Sequence, residues 1–188
     1  TNQGDGTYFD GRFGIMRVYS EALTATQVKR NYDSLTDNIS PLDISMSLYI
    51  DPSNPASYSG VGTTVGNLTF NTYNSTMTNV TFNDPYFSFS GTNSYISTPH
   101  NSIINDGATG LTLEAWVRFN NFNKSQVIVG KFDNGGLASD VSYALRANTS
   151  GQVRFEVGNG SGSTSSNTFS ASTNTWYQVV GVFDKTNS

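Results

Sequence analysis

The sequence contains no cysteine, which excludes a disulfide framework and thiolate chemistry. It has one histidine, so no His/Cys cluster could bind zinc. Charged residues make up 13% of the chain, and the formal net charge of -4 argues against a nucleic-acid partner. No apolar run approaches the roughly 20 residues that a membrane-spanning helix needs, so we expect no membrane insertion.

Aromatic residues are plentiful, with 10 Tyr and 12 Phe, and supply material for a core. Apolar side chains alternate with polar ones between Leu111 and Phe119, which predicts a half-buried strand. Trp116 falls on the polar side of this alternation, so we expect it to pack under a loop or a neighbouring layer. Further strands are predicted at 46–50, 126–132, 143–145, 153–157 and 176–183, the last of them apolar on both faces, as in a strand sandwiched between layers.

One short helix is predicted after Leu23. Thr24 and Gln27 have the spacing of a capping box, in which each side chain bonds the other residue's backbone. Lys29 and Arg30 lie toward the C-terminal end, where the helix dipole favours cations.

Several stretches resemble laminin G-like, concanavalin A-like jelly-roll domains, as found in phage structural proteins and bacterial surface proteins. The most specific is Leu111-Thr-Leu-Glu-Ala-Trp-Val-Arg-Phe119. The others, in order along the chain, are residues 47–58, 87–96, 151–157 and 176–184. The resemblance implies an all-β, two-sheet antiparallel jelly-roll sandwich with one short helix.

The motifs occur in a permuted order, because residues 12–32 resemble the closing strand and helix of such a domain. The resemblance therefore implies a closing segment at 1–34, a linker at 35–45, and the opening and central strands of an incomplete jelly roll at 46–188. Three explanations stay open: a window cut from a tandem array, a subunit completed by strands of a neighbour, and a natural circular permutant.

Calcium is the only cofactor that the resemblance suggests. Members often carry aspartates where this chain has Ser90 and Ser94, and an acidic pair where it has 14–16, which puts such a site in doubt. Glycine-rich turns at 2–6 and 131–136 could bring oxygen ligands together, but plain tight turns explain them better. We expect no metal and no other cofactor.

The sequence offers no catalytic constellation. Glycoside hydrolysis needs two carboxylates about 5–9 Å apart across a cleft. None of the three glutamates has an acidic residue two positions away, and we interpret Glu114 and Glu156 as members of solvated strand faces. His100 follows a proline without a nucleophile motif nearby, which indicates a surface loop. We therefore expect that the protein is not an enzyme.

The leading hypothesis is a non-catalytic structural or adhesive module of an extracellular, cell-surface or virion assembly, such as a filament, fibre or surface array. The alternative is a carbohydrate-binding lectin domain attached to a secreted enzyme. Expected partners are copies of itself or adjacent repeats, and glycans. Candidate ligand-binding residues in loops at a sandwich end are Asn134, Tyr143 and Arg154, although ordinary strand and turn roles also suit them.

Overall fold

A computed structural model describes residues 7–35, 45–70, 73–104, 110–132, 141–158, 163–166 and 168–186. Within them lie one α-helix, α1 (Ala25–Asp33), and a 3-10 turn at Ser102–Ile104. The strands are β1 (Asp10–Tyr19), β2 (Met46–Ile50), β3 (Thr64–Val65), β4 (Ser75–Thr78), β5 (Thr81–Asn83), β6 (Tyr86–Ser90), β7 (Tyr95–Ser97), β8 (Gly110–Phe119), β9 (Gln126–Phe132), β10 (Val141–Ala147), β11 (Gln152–Gly158), β12 (Ser163–Ser165), β13 (Phe169–Ser170) and β14 (Trp176–Asp184).

The strands form three antiparallel sheets. A six-stranded sheet has the order β14-β8-β1-β6-β5, with β2 also beside β1. A five-stranded sheet has the order β12-β11-β10-β9, with β13 beside β11, and β3-β4-β7 form a third sheet. The expected all-β antiparallel sandwich with one short helix is confirmed, and the third, small sheet is an addition to the expected two.

One hydrophobic core joins the sheets. The six-stranded sheet contributes alternate residues of β8, including Leu113 and Val117, which are fully buried. The five-stranded sheet contributes Leu145 and Phe155, and the three-stranded sheet contributes Met77. The period of two along each strand directs these side chains inward, so the intervening residues of β8 face away from the core.

Strand β1 lies inside the six-stranded sheet. It pairs with β8 along one edge and with β6 and then β2 along the other. Arg12 is the register partner of Arg118, and Arg17 is the partner of Glu114, with a register shift between Phe13 and Met16. The segment that resembles a domain end thus shares one sheet with strands from 46–188. The proposed division at 1–34, 35–45 and 46–188 stays a prediction.

Helix α1 begins at the predicted cap. The Thr24 side chain accepts a hydrogen bond from the Gln27 backbone N–H at 3.3 Å, and the Gln27 side chain accepts one from the Thr24 N–H at 2.7 Å. Leu23, just before the cap, is buried against Tyr19 at the end of β1. These contacts hold the helix against the outer face of the six-stranded sheet, the face turned away from the core.

Strand β14 differs from its predicted setting. It lies at an end of the six-stranded sheet and pairs only with β8 among the described strands. Its outer face is open, with Trp176 39% and Val182 42% exposed. Interpreting this strand as sandwiched between layers was therefore wrong, because a run of apolar residues does not show which of two faces is covered.

Candidate functional site

The outer face of the six-stranded sheet has two parts. The covered half lies beneath α1 and contains Arg17, Tyr19 and Glu114, all at most 1% exposed. The open half lies beyond the helix and contains side chains from β1, β6, β8 and β14. Both halves are built from the outward-facing residues of the same strands.

In the covered half, the Glu114 carboxylate is fully engaged. Its Oε1 accepts from Arg17 Nη1 at 2.8 Å and from Gln178 Nε2 at 3.0 Å. Its Oε2 accepts from Nδ2 of Asn31 on α1 at 2.9 Å, and the same amide donates to Tyr19 Oη at 2.8 Å. Asn31 thus ties the helix to the sheet through two buried acceptors.

Burial governs the electrostatics of this half. Desolvation raises the pKa of Tyr19 well above its usual range, and the nearby Glu114 carboxylate raises it further. Desolvation also raises the pKa of Tyr49, whose ring lies 4.9 Å from the Arg17 guanidinium carbon. Both phenols are therefore neutral in the folded protein over the physiological pH range.

The interpretation of Glu114 and Glu156 as members of solvated strand faces was wrong. Glu114 is 1% and Glu156 5% exposed. Glu156 pairs with Arg154 at 2.6 Å and Arg146 at 3.2 Å. The alternation places both glutamates on polar faces, but it does not show that other side chains cover them. Glu114 lies on the outer face of the six-stranded sheet and Glu156 on the outer face of the five-stranded sheet, so they do not face each other across one cleft.

From the end of α1 across the open half, four aromatic side chains form what we call the aromatic band: Tyr32, Trp116, Trp176 and Tyr86. Tyr32, at the end of α1, stacks on Trp116 with ring centroids 5.6 Å apart and an interplanar angle of 27°. Trp176 meets Tyr86 edge to face at 6.0 Å. The predicted packing of Trp116 under a neighbouring element is confirmed.

Gly14 lies close to both tryptophans. A Cβ atom added there would lie 3.5 Å from Cβ of Trp116 and 3.8 Å from Cζ3 of Trp176. The missing side chain therefore lets the Trp176 ring lie over β1 at Gly14, with room for no more than one methyl group between them. Trp116 Nε1 is buried without a hydrogen-bond partner among the described residues, an arrangement that structures usually avoid.

Polar groups border the aromatic band. The guanidinium carbon of Arg12 lies 4.6 Å from the centroid of the Tyr86 ring. Arg118 Nη2 donates to Asn174 Oδ1 at 2.7 Å. Flat rings beside guanidinium and amide groups can stack on an apolar ligand face while bonding its oxygen atoms.

Of the predicted ligand residues, the structure describes Tyr143 and Arg154 and does not bring these two together. Asn134 lies outside the described residues. Tyr143 is 4% exposed and donates its hydroxyl to the Ile104 carbonyl at 2.6 Å. Arg154 is on the opposite face of the same sheet, since its neighbour Val153 points into the core, and it pairs with Glu156. As ligand-binding residues they stay predictions.

The aromatic band was not predicted. Trp116 lies on β8, Trp176 on β14 and Gly14 on β1, so the sequence separates residues that the sheet places together. The available signal was Trp116 on the polar side of an otherwise regular alternation. Trp176 lies in a different strand, so it could not be assigned to the same sheet face as Trp116 without knowledge of the register between the strands.

The other predicted places give no site in the described part of the chain. Ser90 and Ser94 bond each other, with their Oγ atoms 3.2 Å apart. The turn at 2–6 lies outside the described residues, as do 133–136 of the second turn. The described residues contain no group of three His, Asp or Glu side chains that could hold a metal. His100 is exposed in a loop, as predicted.

A cavity of about 280 Å³ lies between the layers. Core side chains such as Phe13, Met16 and Ile50 form much of its wall, and Tyr143 and His100 also line it. The open half of the outer face differs, because aromatic rings and polar groups converge there at an exposed surface. We therefore place the candidate site on the open half.

Comparison with known proteins agrees with this architecture. The family model for laminin G-like domains of the concanavalin A-like lectin/glucanases superfamily matches residues 90–188, which include β8, β11 and β14. No curated protein and no solved structure matches the chain. None of the helices in the described ranges is long and apolar enough to cross a membrane. The chain therefore belongs to the concanavalin A-like lectin/glucanases superfamily, as a laminin G-like domain.

Proposed function

We propose that this chain is a non-catalytic, adhesive module that binds carbohydrate on the open half of its six-stranded sheet. The observation that carries the proposal is the aromatic band, in which Tyr32 stacks on Trp116 and the exposed Trp176 meets Tyr86. In this proposal the module acts outside the cell, on a cell surface or on a virion, as part of a larger assembly.

The geometry suits a sugar ring. A pyranose presents a flat apolar face of C–H groups and a rim of hydroxyls, so it pairs with an aromatic surface bordered by hydrogen-bonding groups. Trp176 is half-exposed on a strand rather than a loop, and Tyr32 is held by stacking on Trp116. Rings on a rigid sheet lose little conformational freedom when a ligand binds.

The state of Glu114 supports a binding role over a glucanase role. A general acid or nucleophile must reach the substrate. Glu114 instead bonds Arg17, Gln178 and Asn31 beneath α1. The nearest catalytic candidate on this sheet face is thus used to attach the helix.

The test is a glycan array followed by titration calorimetry on the glycans bound. Trp176→Ala should weaken binding about tenfold or more, because it removes a stacking platform. Phe169→Ala is the matched control, since Phe169 is 41% exposed against 39% for Trp176 but lies in the five-stranded sheet. The control should bind like the wild type.

Gly14→Val gives a second variant. Gly14 lies within β1 at a position without positive φ, and valine suits strands, so the sheet should be preserved. Its Cγ atoms extend beyond a Cβ that already lies 3.8 Å from Cζ3 of Trp176, so they should displace the Trp176 ring. Binding should fall with unchanged thermal unfolding. Wild-type protein that binds no glycan on the array, or binding that survives both Trp176→Ala and Gly14→Val, would refute the proposal.

A further inference from the structure

Two arginines lie side by side on the open half. Arg12 of β1 and Arg118 of β8 are direct register partners, so their Cα atoms face each other across neighbouring strands. Gly11 and Phe13 on one strand, and Val117 and Phe119 on the other, are buried, which directs both arginines to the outer face. Like charges in directly opposed positions destabilise a sheet.

Neither arginine has a carboxylate partner among the residues that the structure describes. Arg12 contacts the Tyr86 ring, and Arg118 donates to the neutral amide of Asn174. The ion pairs of the described residues involve Arg17, Lys29, Arg146 and Arg154 instead. Asp10, two residues before Arg12 on the same face of β1, bonds Asn120 and Asn121 and neither arginine. Two arginines without an ion pair among the described residues therefore lie side by side on a chain whose net charge is -4.

We infer that the glycan bound on the open half is acidic, with carboxylate or sulfate groups that engage Arg12 and Arg118 while its rings stack on the aromatic band. The inference rests on the proposed carbohydrate-binding function and names the class of ligand. A planar guanidinium donates two parallel hydrogen bonds to the two oxygen atoms of a carboxylate or sulfate. A neutral hydroxyl has a single oxygen atom and cannot accept both in this way.

The surroundings of the two arginines favour this role. Asn174 accepts from one N–H group of the Arg118 guanidinium at 2.7 Å, and the structure shows no hydrogen bond from the remaining N–H groups to another described residue. Stacking on Tyr86 orients the Arg12 guanidinium without using its N–H groups. Both cations thus lie next to the rings that would hold the sugar, in arrangements that restrict their side chains before a ligand arrives.

The experiment compares ligand pairs that differ only in charge. One pair is an oligogalacturonate and its fully methyl-esterified form, and the other is a sulfated galactan oligosaccharide and its desulfated form. Titration calorimetry at two salt concentrations should show about tenfold tighter binding of the acidic member of at least one pair, and a preference that shrinks as salt rises. The pair that shows the preference identifies the acidic group as carboxylate or sulfate.

Variants connect the preference to the two arginines. Arg12→Gln and Arg118→Gln should each remove most of the preference, because the acidic member should lose more affinity than the neutral member. Lys131→Gln makes the same charge change on the five-stranded sheet and should keep the full preference. Circular dichroism checks that each variant is folded.

The results separate the two proposals. Equal binding of acidic and neutral members in both pairs, lost in Trp176→Ala, would overturn the acidic ligand and leave carbohydrate binding standing. A preference that persists in both arginine variants would overturn the assignment to Arg12 and Arg118. Binding of neither member of either pair would overturn the acidic ligand, and the glycan array would then decide the fate of the proposed function.

Discussion

The covered and open halves of the outer sheet face differ in the surroundings that they give to arginine. Arg17, beneath α1, is 1% exposed and is matched by Glu114 at 2.8 Å. Arg118 lies four residues after Glu114 on the same strand, β8, in the open half. It is partly exposed, and among the described residues it bonds only the neutral amide of Asn174. The difference shows that burial, rather than strand position, decides whether a charge on this face is neutralised.

The physical reason is the cost of removing a charge from water. A buried ion needs an opposite charge and further hydrogen bonds, which Glu114 and its neighbours supply to Arg17. An arginine that keeps contact with water needs no such partner. Its charge then remains available for a ligand. Substitutions in the covered half and in the open half test this contrast.

The largest effect is expected from breaking the covered half. Glu114→Gln removes the negative charge and leaves Arg17 buried without it, so the free energy of unfolding should fall by about 3–5 kcal/mol. Urea unfolding measures it. The double variant Arg17→Met with Glu114→Leu should recover much of this loss, because no buried charge remains. A single variant as stable as the wild type would show that the pair is not buried in solution.

A smaller effect should appear at alkaline pH. The pKa of Tyr19 is higher in the folded protein than in the unfolded chain, so its contribution to stability is complete below about pH 10, the unfolded value. The contribution is lost as the pH rises beyond that value toward the folded pKa, by up to about 1.4 kcal/mol per pH unit. Urea unfolding between pH 8 and pH 11 measures this slope.

The matched variant for the alkaline effect is Tyr19→Phe. It should lower stability at neutral pH, because the Asn31 amide loses an acceptor, and it should reduce the alkaline slope. A slope that Tyr19→Phe does not change would mean that other groups cause the alkaline loss.

The smallest effect should come from the open half. Arg12→Gln removes one of two opposed cations and breaks no ion pair among the described residues, so stability should stay level or rise by about 0.2–1 kcal/mol. Thermal unfolding of Arg12→Gln beside Glu114→Gln gives the comparison directly. If Arg12→Gln lowered stability as much as Glu114→Gln, the charges of both halves would be equally important for the fold, contrary to the expected contrast between the halves.

Local patterns in the sequence predicted much of the fold. The alternation at 111–119 and 153–157 became β8 and β11, and the Thr24–Gln27 spacing became the capping box of α1. These features depend on neighbours within a few residues. The burial of Glu114 escaped prediction, because it depends on Asn31, which lies 83 positions away in the chain.

The candidate site shows the same limit. Trp116 was singled out because it broke a local pattern, but its meaning depends on Trp176 from β14 and on Gly14 from β1. Sheet order and register bring these residues together, and neither is encoded in the spacing of any one strand. The candidates Asn134, Tyr143 and Arg154 came from residue types alone, a signal that carries no information about proximity.

By itself, the sequence determined the helix, the main strands with most of their polar and apolar sides, and the family, because these follow from local periodicity and short motifs. The tertiary structure alone decided which polar side is covered, and it did so by placing α1 over one half of the outer face. Beneath α1, Arg17 is buried and paired with Glu114. Arg12 and Arg118 lie beyond the helix, beside the aromatic band. Contacts between segments that are distant in the sequence therefore determine which charged side chains are buried.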